Sequence, residues 1–156
     1  VAKKLKVEIM QKSPFSSVEQ EVYLNLLRTG DALSQRVEIL LRTAGLSGTQ
    51  YNVLRILRGA GKQGLTCGET GERMVTHDPD ITRLLDRLEK RKLITRARNT
   101  SDRRVVTTRI TPEGLRLLGT LDKPVAKLHR SLFRHMAQGD LKKLSSLLEK
   151  VRSTER

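Results

Sequence analysis

Cysteine is the scarcest reactive group in this sequence: Cys67 stands alone among 156 residues. A single thiol excludes an intramolecular disulfide framework and fits a reducing compartment, so a cytoplasmic location is expected. Tryptophan is absent, and aromatic content is only 3%. With hydrophobic content at 37%, a core of Leu, Val and Ile will be modest, and a second subunit is expected to complete it. No apolar run approaches the ~18 residues of a membrane span, so no membrane partner is expected. Val1 to Pro14 carries lysines without an apolar h-region. It does not read as a signal peptide and is expected to be a mobile arm. His77, His129 and His135 have no Cys or paired acidic partners at metal-ligand spacing. A glycine-rich phosphate loop and a nucleophile elbow are both missing. Hydrolytic or transfer chemistry is therefore not expected, and neither is a cofactor.

Positive charge, by contrast, is abundant. Thirty-one Lys and Arg against 17 Asp and Glu give a net charge of +14. Charge of this size favours a polyanionic partner and says nothing direct about fold. Between Ile81 and Ile110 lie ten basic residues and three acids, a local net of +7, half the total. A solvated basic face is the plain alternative. Concentration around one helix and one β-branched segment weighs against it.

Periodicity and helix-start signals divide the rest. Ser16 with Glu19 reads as a capping box before a long helix whose stripe includes Val18, Val22, Leu26, Leu33, Val37 and Leu40, closed by Gly45. Ser47 with Gln50 opens a second helix, ended by Gly59-Ala60-Gly61. Thr66 with Glu69 opens a third, to about Met74. Asp78 as N-cap with Pro79 as first helical residue predicts a fourth, with Ile81, Leu84, Leu85 and Leu88 on its core face. Strands are predicted over Ile94–Arg98 and Val105–Thr111, with a polar turn between them. Thr111-Pro112-Glu113 starts a fifth helix, and Asp140 is expected to cap a sixth, where Leu141, Leu144, Leu148 and Val151 form a seam.

The fold class is therefore mainly α, about six helices, with a small β-hairpin. Two short helices, a helix with a basic outer face and then a hairpin make a winged helix-turn-helix order. Such a helix fits the B-DNA major groove, and a hairpin can reach the backbone or minor groove beside it.

The run DPDITRLLDRLEKRKLITRARNTSDRRVVTTRITPEG resembles the recognition helix, wing and following helix of the multiple-antibiotic-resistance regulator (MarR) family. The ITRLLDRLEKRKLI block and the Asp-Arg-Arg tip followed by Thr-Pro-Glu-Gly are its most specific parts. The resemblance extends in order and length from about Ser16 to Val151. It implies a homodimeric bacterial transcription regulator whose terminal helices intertwine and whose two winged lobes sit on a palindromic operator, mainly as a repressor. Many members release DNA when a small, often aromatic ligand binds, so a small aromatic or anionic effector is a candidate partner beside double-stranded DNA. One departure is Lys92, which stands where the family commonly has Gly after the recognition helix.

On this resemblance the chain divides into an arm (1–15), dimerisation helices (16–45 and 112–156) and a winged helix-turn-helix region (46–111), all within one compact domain. Val18, Val22, Leu141, Leu144, Leu148 and Val151 fall at the dimer interface. Thr82 and Arg83 match exposed positions in the recognition helix; Arg83 can read guanine in bidentate fashion or rest on phosphate. Asp80 can accept from cytosine N4, although complementing the helix dipole is the favoured reading. Arg87 is assigned to phosphate, and His77 to the backbone or simply to the surface. Asp102 and Arg104 match the wing pattern in which Arg enters the minor groove and Asp orients it, and an Asx turn at Asp102 is compatible with that role. Arg98, Ser101 and Arg103 complete the DNA-binding set. Cys67 reads as a buried structural thiol. The competing function is a sequence-independent architectural nucleic-acid binder, but neither wedge residues at the wing nor stacking aromatics are evident.

Overall fold

Backbone N–H groups at a helix start need acceptors, and this chain supplies them from Ser, Thr and Asp side chains. In the computed structural model, which describes residues 4–153, the elements are α1 (Leu5–Glu8), α2 (Val18–Arg42), α3 (Gly48–Ala60), a 3-10 turn (Gly61–Gln63), α4 (Cys67–Glu72), α5 (Ile81–Lys90), β1 (Ile94–Arg98), β2 (Val106–Ile110), α6 (Pro112–Leu132) and α7 (Gln138–Arg152). Both predicted capping boxes at α3 and α4 are formed reciprocally, Ser47 with Gln50 and Thr66 with Glu69. Thr111 caps α6, with Pro112 in its first turn.

Several boundaries differ from the sequence expectation. At α2 the cap is Ser17, which accepts from Gln20 N–H, while the Gln20 side chain accepts from Ser16 N–H and Oγ–H. The box is thus displaced by one residue, with Gln20 in place of Glu19. At α5 the cap is Asp80, not Asp78. Asp78 Oδ1 instead accepts from Asp80 N–H at 2.9 Å, a local turn that leaves Pro79 outside the helix. At α7 the cap position is Ala137, without a side-chain bond, and Asp140 lies in the first turn. Within the expected arm, residues 5–8 form one helical turn with Leu5 buried and Glu8 near Arg28 at 3.7 Å, so this part is docked. With that turn the described residues hold seven α-helices, against about six expected. Residues 1–3 of the arm and 154–156 of the second dimerisation segment lie outside the described residues.

The core joins the end of α2, α3, α5, the hairpin base and the first half of α6: Leu41, Leu54, Leu57, Leu85, Leu88, Ile94 and Leu118 are fully buried. Two strands alone are marginal, and this hairpin leans on the core at its base. Ile94 pairs with Ile110 and Arg96 with Thr108 in the antiparallel register. A third edge is supplied by Leu65, which exchanges two backbone bonds with Thr108 (3.0 and 2.7 Å). That approach needs Gly64, at φ +69°, since a Cβ there would lie 2.4 Å from the Thr108 carbonyl oxygen. Arg58 on α3 holds Asp122 on α6 in a two-pronged pair at 2.9 and 3.0 Å, and this bond draws the Asp122 carboxyl below its ordinary range. The described part of α7 contributes no buried residue, and much of the N-terminal half of α2 is exposed, including Val18 and Val22. No helix of the described residues is long and apolar enough to cross a membrane.

Lys92 takes the left-handed conformation, φ +58°, at the end of α5. Its N–H donates to Glu89 O, and Leu93 N–H to Leu88 O, which together stop the helix and fold Leu93 back into the core. A side chain at this φ costs about 1 kcal/mol relative to glycine. Lys92→Gly is therefore expected to stabilise the protein by about 1 kcal/mol, read as a raised denaturant midpoint with an unchanged slope. An unchanged or lowered midpoint would count against this assignment.

Candidate nucleic-acid interface

The amphipathic division of α5 is complete. Leu84, Leu85 and Leu88 face inward, and Thr82, Arg83, Arg87 and Lys90 face solvent. Asp80 holds the start of this helix twice over: one oxygen accepts from Arg83 N–H and the other pairs with Arg83 Nε at 3.1 Å. Asp80 is thus engaged with Arg83, and its contribution to the surface is to fix the root of that side chain. Asp80, Arg83 and Arg87 line a polar cleft with Ser47, Thr49 and Gln50 from the start of α3. Those α3 residues were not among the sequence candidates. Their hydroxyl and amide groups beside two guanidiniums suit a phosphate oxygen. His77 is exposed in the segment before α5.

Cys67 is half-buried rather than buried. It begins α4, and its Sγ lies 3.9 Å from Thr82 Oγ1 on the outer face of α5. The reason is positional: residue 67 opens a short helix at the rim of the core, and only part of its side chain meets apolar neighbours.

The hairpin tip is ordered by its own polar groups. Asp102 Oδ1 accepts from Arg104 N–H at 2.9 Å, and Asn99 Oδ1 accepts from Ser101 N–H at 2.8 Å. Asn99 N–H reaches Val105 O, and Val105 N–H reaches Asp102 O, so Val105 belongs to the turn and β2 begins at Val106. Arg98, Ser101, Asp102, Arg103 and Arg104 are all exposed. The geometry therefore gives the Asx turn, with Asp102 acting on the Arg104 backbone.

Three cations counted in the basic segment are already engaged by partners within the chain. Arg96 on β1 donates to Glu89 Oε2 through Nε (3.0 Å) and Nη2 (2.6 Å), and to Asp86 Oδ1 through Nη2 (2.5 Å). These bonds raise its already high pKa, Glu89 contributing most. Arg91 donates to the carbonyl oxygens of Gly45 and Ala44 beyond α2, and Arg109 to that of Lys62. Sequence spacing held a signal for the first: Asp86 and Glu89 sit one turn apart on α5, and Arg96 shares a strand face with buried Ile94. Among the described residues, no three His, Cys, Asp or Glu side chains are grouped as a metal site.

Residues 46–106 match the model of the MarR family. A solved MarR transcription factor from Planctomyces limnophilus is 40% identical, with a TM-score of 0.68 over 87% of this chain and 98% of that one. The HTH-type transcriptional regulator MhqR of Bacillus subtilis is 24% identical over 84% of this chain and 89% of its own length. The S. aureus MepR–DNA complex shares the fold, with a TM-score of 0.77 at 22% identity, covering 85% of this chain and 97% of that one.

Proposed function

The chain belongs to the MarR family of transcriptional regulators, and from that premise we propose that it is a sequence-specific, ligand-responsive repressor acting as a homodimer on a palindromic operator. The observation that carries the reading is the juxtaposition of an outward cationic face on α5 with an ordered, cationic hairpin tip. In this reading Thr82 and Arg83 meet base edges, and Arg87 meets phosphate with His77 and the hydroxyls of Ser47 and Thr49 beside it. Arg98, Ser101 and Arg103 follow the backbone flanking the groove that Arg104 enters. The region 46–111 binds DNA, 16–45 and 112–156 dimerise, and 1–15 is an N-terminal arm. Val18, Val22, Leu144 and Val151, all exposed in the single chain, are met by the second copy, with half-buried Leu141 and Leu148 beside them. Tyr51, Arg55 and His129 line a small cleft between α3 and α6 beside the Arg58–Asp122 pair, a chemistry suited to a small aromatic or anionic effector. The protein works by binding, without catalysis, in the cytoplasm.

The wing supplies the test. Arg104→Ala is expected to weaken binding to the highest-affinity duplex selected from a randomised pool by about 1–3 kcal/mol, most on duplexes with A·T-rich flanks. Asp102→Ala should also weaken it, although an acid near DNA is removed. Asp102→Asn should largely keep wild-type affinity, because an amide oxygen accepts from Arg104 N–H as a carboxylate does. Fluorescence anisotropy at fixed salt reads all three. Tighter binding by Asp102→Ala would reduce the wing to a cationic patch, and equal competition by random duplex would replace this reading with an architectural one.

A further inference from the structure

We propose that Arg96, clamped between Asp86 and Glu89, is the residue that sets the angle of the wing against the recognition helix and so determines specificity at the operator flanks. The inference rests on the DNA-binding reading of α5 and the hairpin. Arg96 occupies the middle of β1, two residues beyond buried Ile94 and on the same strand face. One guanidinium joins two carboxylates on α5 through three short bonds, and only a quarter of its side chain is exposed. Beyond it, Ala97 and Arg98 through Arg104 are exposed. Arg96 is therefore the last tie between β1 and α5 before the hairpin leaves the body.

Two residues of strand, about 7 Å, and then the turn 99–105 extend beyond Arg96, so a tilt of about 10° moves the end of the strand by about 1 Å and the tip by more. A guanidinium in a groove works within about 0.5 Å of its productive position. The opposite edge is held by the Leu65–Thr108 bridge and by Arg109 on Lys62 O, hydrogen bonds that fix the base of β2 and have no partner on α5. The clamp joins the two elements that must address one duplex together. It also offsets one of the two negative charges that Asp86 and Glu89 place on the helix that faces the phosphates.

The clamp role and simple charge counting predict opposite signs. D86N/E89Q removes two negative charges from partly exposed positions. Charge counting then predicts tighter binding to every duplex. The clamp predicts binding about 10-fold weaker on the duplex selected by the wild-type protein, with loss of discrimination against changes in its flanks. Discrimination at the central positions read by α5 should be retained. Binding as tight as wild type or tighter, or flank discrimination intact, overturns the proposal. A second comparison holds if that variant melts early: D86N/R96E should lose flank discrimination, and adding E89R to it reverses the original pair and should restore it. Failure of the restored variant to discriminate flanks also overturns the proposal. If the wild-type protein discriminates no duplex, the DNA-binding reading fails and this inference falls with it, before any variant is compared.

Discussion

Replacing Leu144 and Leu148 with lysine is expected to yield monomers, or an unfolded chain, and to weaken operator binding by about 10²–10⁴-fold, the advantage of two linked half-site contacts. The reason is visible in the single chain. Leu144, Leu147 and Val151 on α7 are exposed, Leu141 and Leu148 half-buried, and Val18, Val22, Tyr23 and Leu27 on α2 are also exposed. Two helices with uncovered apolar faces call for a second copy. Lysine makes the protein more basic, so simple attraction to DNA would predict tighter binding. Sedimentation of the wild type as a stable monomer at micromolar concentration would remove the basis of this expectation.

Gly64→Ala is expected to be strongly destabilising. Its Cβ would meet Thr108 O at 2.4 Å and Arg109 Cγ at 2.7 Å, at a backbone φ of +69° that L side chains avoid. The conformational term is about 1–2 kcal/mol and overpacking adds about 1–3 kcal/mol, so a loss of about 3 kcal/mol is expected. For a chain of this size that is a fall in Tm of about 10 °C. Gly59→Ala is the control: nothing lies within 4 Å of its Cβ and it sits inside α3, so alanine should be neutral or stabilising. Equal melting temperatures for the two variants would mean that the Leu65–Thr108 bridge does not hold the hairpin base as described.

What was legible in the sequence followed from local rules. The Ser47–Gln50 and Thr66–Glu69 boxes, the inward leucines of α5 and strand β1 each need only a few neighbouring residues, and each is where the pattern places it. The start of α5 was misplaced because two local devices compete there: Pro79 suits a first helical position, yet the Asp78 side chain closes a turn onto Asp80 N–H and hands the cap to Asp80. The start of α7 lacks a side-chain cap, so Asp140 drew the assignment. The one-turn α1 depends on burying Leu5, which no local pattern announces. At the candidate site, the exposed arginines of α5 and the wing were legible as a cationic cluster. Which guanidiniums are already hydrogen-bonded within the chain was not, because Arg91, Arg96 and Arg109 find partners on other elements, up to 47 residues away.

Those engaged arginines change what the net charge means thermodynamically. Binding to a duplex draws much of its free energy from sodium or potassium ions that leave the phosphates when a cation replaces them. A guanidinium that already rests on a carboxylate or a carbonyl of its own chain displaces fewer. Of the ten basic residues between Ile81 and Ile110, three (Arg91, Arg96 and Arg109) are held this way on other elements and Arg83 rests on Asp80, leaving six to face a polyanion. The ionic-strength dependence of binding will thus be shallower than a count of Lys and Arg implies, and a larger part of the affinity will persist in concentrated electrolyte.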